Sequence, residues 1–166
     1  MFATLIEKLH RRQDLSVDEA ATVMGEIMAG RATPAQIAGL LIALSMKGER
    51  PSEIVGLAMT MRANAVKLSK PYDGLFDTCG TGGSGANKFN ISTAAAIVAA
   101  AAGARVAKHG NRGATSVSGS ADVLEAAALN LSLRADQVAR TIEEGGVGFM
   151  VGPAHHSAMK HVITAR

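Results

Sequence analysis

Aromatic side chains are almost missing from this chain: Phe, Tyr and Trp together make up 3% of residues, with no tryptophan and a single tyrosine. Single-stranded nucleic acids are held largely by stacking on aromatic rings, so that kind of surface is hardly available. Cysteine is as scarce. Cys79 stands alone, which excludes an internal disulfide and favours a reducing compartment. The longest apolar run, residues 94–104, is too short and too rich in Ala and Gly to cross a bilayer, and residues 1–10 are broken by Glu7, Lys8 and His10. No signal peptide is recognisable. A cytoplasmic protein without membrane contact is therefore expected. Charge of one sign is not in large excess: 17 Lys+Arg against 14 Asp+Glu leave +3, with no block of like charges, so nucleic acid is not the expected partner. A mild positive balance suits an anionic small molecule.

With 166 residues, 48% of them hydrophobic, the chain can bury a real core. Residues 3–65 carry apolar positions at helical spacing. Ser16 with Glu19 forms a capping box before a helix over residues 20–28 that Gly30 can close, and Thr33-Pro34-Ala35-Gln36 repeats the signal before a helix over 37–46 stopped by Gly48. Pro51 opens a fourth helix over 52–65. Its Ile54, Val55, Leu57, Ala58 and Met61 exceed what one buried stripe needs, which packing within a bundle or a partner helix can explain. Residues 67–73, with Pro71, read as a linker.

The pattern then changes to short strands alternating with helices: a strand at 75–77, a helix at 91–102, a strand at 105–107, helices at 121–129 and 135–144, a strand at 147–151 and a further helix after Pro153. Alternation of this kind predicts an α/β fold with a parallel sheet. Ligands of such sheets sit beyond the carboxyl ends of the strands. Three polar segments follow the three strands there. They are the glycine loop after Asp77, then Lys108-His109-Gly110-Asn111-Arg112, then Gly152-Pro153-Ala154-His155-His156.

The glycine loop organises the rest. Asp77-Thr78-Cys79-Gly80-Thr81-Gly82-Gly83-Ser84-Gly85 lets the backbone turn sharply and approach a ligand, and Asn90-Ile91-Ser92-Thr93 opens the next helix. Free amides, a helix N-terminus and hydroxyls together suit a phosphate; the same residues also make an ordinary capped turn. Lys108 and Arg112 add cations. Ser116, Ser118, Gly119 and Ser120 form a second hydroxyl-rich turn. The loop is not a Walker A motif, because Lys88 is followed by Phe89, and its GxGxxG match lacks an acidic residue after the second strand. His155, His156 and His161 lack the spacing of a metal site, and Cys79 has no partner in local sequence for nucleophilic catalysis.

The blocks Asp77-Thr78-Cys79-Gly80-Thr81-Gly82-Gly83, Asn90-Ile91-Ser92-Thr93, Lys108-His109-Gly110-Asn111-Arg112 and Ser118-Gly119-Ser120-Ala121-Asp122-Val123-Leu124-Glu125 together resemble the anthranilate phosphoribosyltransferase family. The resemblance implies a small helical dimerisation domain over residues 1–66. Residues 72–166 would be the first part of a larger, mostly parallel α/β domain of the nucleoside phosphorylase/phosphoribosyltransferase type. It implies transfer of the phosphoribosyl group of phosphoribosyl pyrophosphate to anthranilate, with Mg²⁺, in tryptophan biosynthesis, by a homodimer. Carried over by residue, Gly80, Thr81, Gly82, Gly83, Asn90, Ser92, Thr93, Lys108 and Ser120 would bind phosphoribosyl pyrophosphate, Ser92 also lying near the metal. Gly80, His109, Asn111, Pro153, His155 and Arg166 would line the anthranilate site, Arg166 meeting its carboxylate. No side chain is assigned to the chemical step itself.

Three positions depart from the family pattern: Ser84 for Asp, Lys88 for Thr and Val117 for Lys. Family members also continue beyond this length with an acidic pair for magnesium, so little turnover is expected of this chain alone. Two other readings remain at this point. A pyrimidine-nucleoside phosphorylase shares the fold, but its loops differ from Lys108-His109-Gly110-Asn111-Arg112. A non-catalytic relative that dimerises or binds nucleic acid would betray itself by salt-dependent DNA binding.

Overall fold

The computed structural model describes residues 1–80, 89–113, 117–155 and 162. They fall into two compact units. The first takes in Met1–Ala65, joined by Val162; the second is Val66–His155.

Over Met1–Ala65 the first unit runs through α1 (Phe2–His10), α2 (Val17–Met28), α3 (Pro34–Lys47) and α4 (Pro51–Ala63). Both expected capping boxes form. The Ser16 hydroxyl accepts from the Glu19 amide while Glu19 accepts from the Ser16 amide, and Thr33 and Gln36 make the same reciprocal pair. Each closes orphan donors that a helix start leaves open. Gly48 follows α3 at φ 89°, a backbone state that favours glycine. Leu5, Leu9, Leu15, Val23, Ile27, Ile37 and Leu40 form the buried core.

The fourth helix differs from its sequence reading. Ile54 and Val55 are half exposed, whereas the fully buried positions are Glu53 and Gly56. Gly56 is required by backbone proximity: a Cβ there would lie 2.7 Å from Ala20 Cβ and 2.9 Å from the Ala21 amide nitrogen of α2. Those atoms belong to helix backbone and a stub side chain, so they cannot swing aside. Gly56→Ala should therefore destabilise the first unit by about 1–3 kcal/mol despite alanine's better helix propensity. A urea melt checks this, and an unchanged midpoint would show that α2 and α4 separate freely.

The second unit is a parallel sheet in the order β1 (Leu75–Phe76), β2 (Arg105–Gly110), β3 (Val147–Val151). Leu75 pairs with Arg105, and Val106 with Val147, through to Gly110 with Val151. The connecting helices are α5 (Ile91–Ala101), α6 (Ser120–Ala126) and α7 (Ala135–Gly145), with α8 (Gly152–His155) after β3. Gly148 lets α7 lie close on β3, since a Cβ there would stand 2.7 Å from Ile142 Cγ1 and 2.8 Å from Val138 Cγ1. The α/β fold with a parallel sheet agrees with the alternating sequence pattern.

Three boundaries shift. Strand β2 extends through Lys108, His109 and Gly110, which sequence alone reads as loop, because backbone pairing with β3 continues past the apolar residues. Helix α6 ends at Ala126 and not at 129; Ala128 adopts φ 61° and the Leu129 amide returns to the Leu124 carbonyl. Residues 67–73 are not a bare linker. Leu68 and Tyr72 pack on the core of Ala107, Val138 and Ile142, and the Tyr72 hydroxyl donates to the Ala139 carbonyl at 3.2 Å. Helix α5 carries no charged residue, yet Ile97 and Val98 on it are exposed. No helix among the described residues is long and apolar enough to cross a membrane.

Candidate functional site

The polar segments after the three strands do meet. Asp77, one residue past β1, accepts through Oδ1 from the Cys79 amide at 2.8 Å and from the His109 amide at 3.2 Å, which ties the start of the glycine loop to β2. Cys79 Sγ lies 3.3 Å from the Gly80 carbonyl and 3.7 Å from His109 Nδ1. The Thr78 hydroxyl donates to the Ser92 carbonyl at 2.7 Å, fastening the loop to the first turn of α5. On the other side, Gly152 follows β3 so closely that a Cβ would sit 3.2 Å from Asn111 Nδ2. Gly80, Asn90, Ser92, Thr93, Lys108, His109, Ser120, Asn111 and His155 are thereby carried on one end of one small sheet.

The first turn of α5 is not an ordinary capped start. Asn90 occupies the N-cap but its side chain makes no cap bond; it donates instead to the Ser118 carbonyl at 3.2 Å. Thr93 is buried, and its hydroxyl finds no hydrogen-bond partner among the described residues. A buried hydroxyl without a partner is costly, and here it belongs to a helix start whose amides favour an anion.

Lys108 supplies the matching charge. It is only 1% exposed, and its ammonium reaches the His109 carbonyl at 3.0 Å and the Ser120 hydroxyl at 3.3 Å. Among the described residues no carboxylate pairs with it. An ammonium has three donors, and two neutral oxygens satisfy them poorly. Gly110 leaves the room for this arrangement, because a Cβ there would fall 3.1 Å from Ser120 Oγ and 3.8 Å from Lys108 Nζ. The chemistry this favours is binding of a multiply charged oxyanion.

Arg112, expected as a second cation for that anion, is engaged elsewhere. Its guanidinium spans Glu125 at 2.6 and 3.0 Å and meets Asp122 at 3.3 Å. Those bonds, Glu125 first, raise its pKa and hold the Glu125 carboxyl below its ordinary value. His155 is buried with Nδ1 3.2 Å from the Val151 carbonyl, and its own carbonyl accepts from the Val66 amide. Val117 is almost fully exposed. Thr81, Gly82, Gly83, Ser84, Lys88, Ser116, His156, His161 and Arg166 lie outside the described residues, as does the side chain of Pro153. No group of three or more His, Cys, Asp or Glu among the described residues could hold a metal ion, so the chain's own described carboxylates do not form a magnesium cage. Ser92 can offer one hydroxyl oxygen.

Asp77, Thr78, Asp122 and Glu125 stand in the motif blocks of the sequence, which assign them no role; the structure does. Asp122 accepts from the Gly113 amide at 2.9 Å and the Gly119 amide at 2.7 Å. Its position three residues after Gly119, an N-cap without a side chain, was the available signal.

Comparison with known proteins agrees with this geometry. The helical bundle domain of the glycosyl transferase family matches residues 3–65, and the a/b domain of that family matches residues 72–166. The chain is 63% identical over 153 residues to anthranilate phosphoribosyltransferase of Teredinibacter turnerae, covering 92% of this chain and 45% of that protein. It is 59% identical over 161 residues to the enzyme of Cellvibrio japonicus, covering 97% of this chain and 47% of the other. It thus spans about half the length of the curated relatives it matches. Among solved structures, anthranilate phosphoribosyltransferase from Thermus thermophilus superposes with a TM-score of 0.86 at 46% identity, over 97% of this chain and 49% of that one. The Saccharomyces cerevisiae enzyme, solved with PRPP and Mg, superposes with a TM-score of 0.88 over 99% of this chain and 50% of that one; at 24% identity it speaks for the fold alone. With both domains matched in order, and with the sheet and helices in place to carry them, the chain belongs to the glycosyl transferase family of the helical-bundle and a/b-domain type.

Proposed function

We propose that this chain carries the phosphoribosyl-pyrophosphate site of an anthranilate phosphoribosyltransferase, forming N-(5-phosphoribosyl)anthranilate in tryptophan biosynthesis. The observation that carries the reading is the buried Lys108 ammonium, without a carboxylate among the described residues, beside the hydroxyl of Ser120. The likeness to enzymes of that name from Teredinibacter turnerae and Cellvibrio japonicus supports the choice of substrate. Residues 1–66 serve as the helical dimerisation domain. Residues 72–166 belong to the α/β domain.

Gly80, Thr81, Gly82 and Gly83 cradle the pyrophosphate with Asn90, Ser92, Thr93, Lys108 and Ser120. Gly80, His109, Asn111, Pro153, His155 and Arg166 face anthranilate. The work of these groups is to hold the anionic leaving group and aim the amine at the sugar carbon, so positioning and electrostatics carry the catalysis. Mg²⁺ would neutralise charge on the pyrophosphate, and Ser92 would offer it one oxygen, while the chain's described carboxylates form no cage for it. The protein works in the cytoplasm as a homodimer. Exposed Ile42 and Met46 on α3, at a groove of about 460 Å³ shared with Ile6 and Ala43, support association through the helical unit.

Titration of the 166-residue chain with phosphoribosyl pyrophosphate and Mg²⁺ tests the reading. Saturable binding, displaced by inorganic pyrophosphate, is expected, with little anthranilate consumed by this chain alone. Absence of binding, or phosphorolysis of thymidine, would overturn it.

A further inference from the structure

Residues 111–113 lead out of β2 and residues 117–121 lead into α6, and these two stretches touch. The Ala121 amide donates to the Asn111 carbonyl at 3.1 Å. At Gly119 there is no room for a side chain, since the backbone of Asn111, Arg112 and Gly113 lies where a Cβ would project. The same return carries two contacts of the site: the Ser118 carbonyl that holds Asn90, and the Ser120 hydroxyl that meets Lys108. Whatever fixes this crossing therefore fixes both the α5 start and the buried ammonium.

Three charged side chains clasp the crossing from outside. Asp122 Oδ2 accepts from the amides of Gly113 and Gly119, one from each strand of the crossing, while Oδ1 meets Arg112. Arg112 in turn forks onto both oxygens of Glu125, one helical turn further along α6. A bidentate guanidinium–carboxylate pair fixes direction as well as distance. We propose that Asp122, held by Arg112 and Glu125, is a positioning residue that sets the crossing so that Ser118 and Ser120 hold Asn90 and Lys108 for the pyrophosphate. Asp122, Arg112 and Glu125 are engaged with one another and with the two amides, so on this reading they aim the binding groups without themselves meeting the anion. This rests on the phosphoribosyl-pyrophosphate reading, and it deepens that reading by separating the groups that bind from those that aim them.

The amide bonds also hold the Asp122 carboxyl below the usual aspartate range, Gly113 first and Gly119 next. The clasp is therefore intact above the ordinary aspartate value and opens as pH falls through the depressed one.

The test uses Asp122→Asn, which keeps one acceptor oxygen but turns donors toward Arg112, and Arg112→Lys, which keeps the charge but loses the fork. Amide exchange read without ligand should show Gly113 and Gly119 protected in the wild type and about tenfold faster in Asp122→Asn, the size expected for losing a charge-assisted bond. Affinity for phosphoribosyl pyrophosphate with Mg²⁺ should fall about tenfold in Asp122→Asn and less in Arg112→Lys. The urea midpoint of the second unit should move little. If Gly113 and Gly119 exchange as fast in the wild type as in the variant, there is no clasp. If exchange responds but affinity does not, the clasp is structural only and the positioning role is wrong. If the wild type shows protected amides but binds no phosphoribosyl pyrophosphate, the substrate reading fails, and with it the role in positioning.

Discussion

Lys108→Met is expected to cost the protein its affinity for phosphoribosyl pyrophosphate while making the fold more stable. The two effects have one cause. The ammonium is buried, it has two neutral oxygen contacts, and no carboxylate among the described residues neutralises it. Desolvating a charge without a counterion opposes folding, and methionine of similar length fills the same space without that cost. A gain of about 1–2 kcal/mol is expected, by analogy with buried charges replaced by apolar residues of like volume. Binding should weaken by about 100-fold or more, the worth of one or two hydrogen bonds from a charged donor to an anion. Calorimetric titration and a thermal melt on the same preparation read both. A variant that binds as tightly as the wild type removes Lys108 from the site. One that unfolds shows that the cation holds the fold and not the ligand.

Glu53→Ala should be the most damaging single change in the first unit. Glu53 is fully buried and accepts from the Leu15 amide at 2.8 Å, the Arg50 amide at 2.8 Å and the Lys47 ammonium at 3.1 Å. Two of these donors are backbone groups at the turn before α2 and at the start of α4, so removing their acceptor leaves the buried Leu15 amide and the part-buried Arg50 amide without it. The Lys47 side chain is itself almost buried and, among the described residues, keeps only Asp14 as a charged partner once Glu53 is gone. Breaking a buried pair from one side costs about 3–5 kcal/mol, which in a unit of this size lowers the melting temperature by more than about 10 °C. Adding Lys47→Met to Glu53→Ala should recover part of the loss, because the stranded cation is then gone. Additive losses in the double variant would show that the two side chains do not communicate.

Acid should weaken the same corner. The Lys47 bond holds the Asp14 carboxyl below the ordinary aspartate value, so its contribution is complete above that value and disappears as pH falls through the depressed one. Burial pulls the Lys47 pKa down, but the bonds to Asp14 and Glu53 outweigh it and leave it raised. The Lys47 contribution is therefore lost at the alkaline end.

Local grammar made much of the fold legible. The Ser16 and Thr33 capping boxes, Pro34 and Gly48 mark helix ends through bonds between residues a few positions apart, and those bonds formed as read. The alternation from Leu75 to Val151 announced a parallel sheet, and parallel order places loop residues at one edge regardless of their identity. Where neighbours distant in sequence decide, the reading failed. Glu53 on an apolar helix gave no hint that Leu15 and Lys47 would receive it. Nothing in the local sequence marks Gly56 as a contact point, and only α2 lying against it shows why glycine stands there. The strand was cut short at Lys108 because a cation ends an apolar run, although its backbone goes on pairing with Phe149.

By itself, then, the sequence determined the order of helices and strands and the placing of the polar segments beyond the carboxyl ends of the strands, because short-range backbone rules and parallel order dictate these. Only the tertiary structure decided which charges are spent. Arg112 goes to Asp122 and Glu125, whereas Lys108 is buried without a carboxylate among the described residues. The two cations sit four positions apart and look alike as letters. What distinguishes them is which carboxylates the return of α6 brings within reach, and that depends on how the chain crosses itself at Gly119.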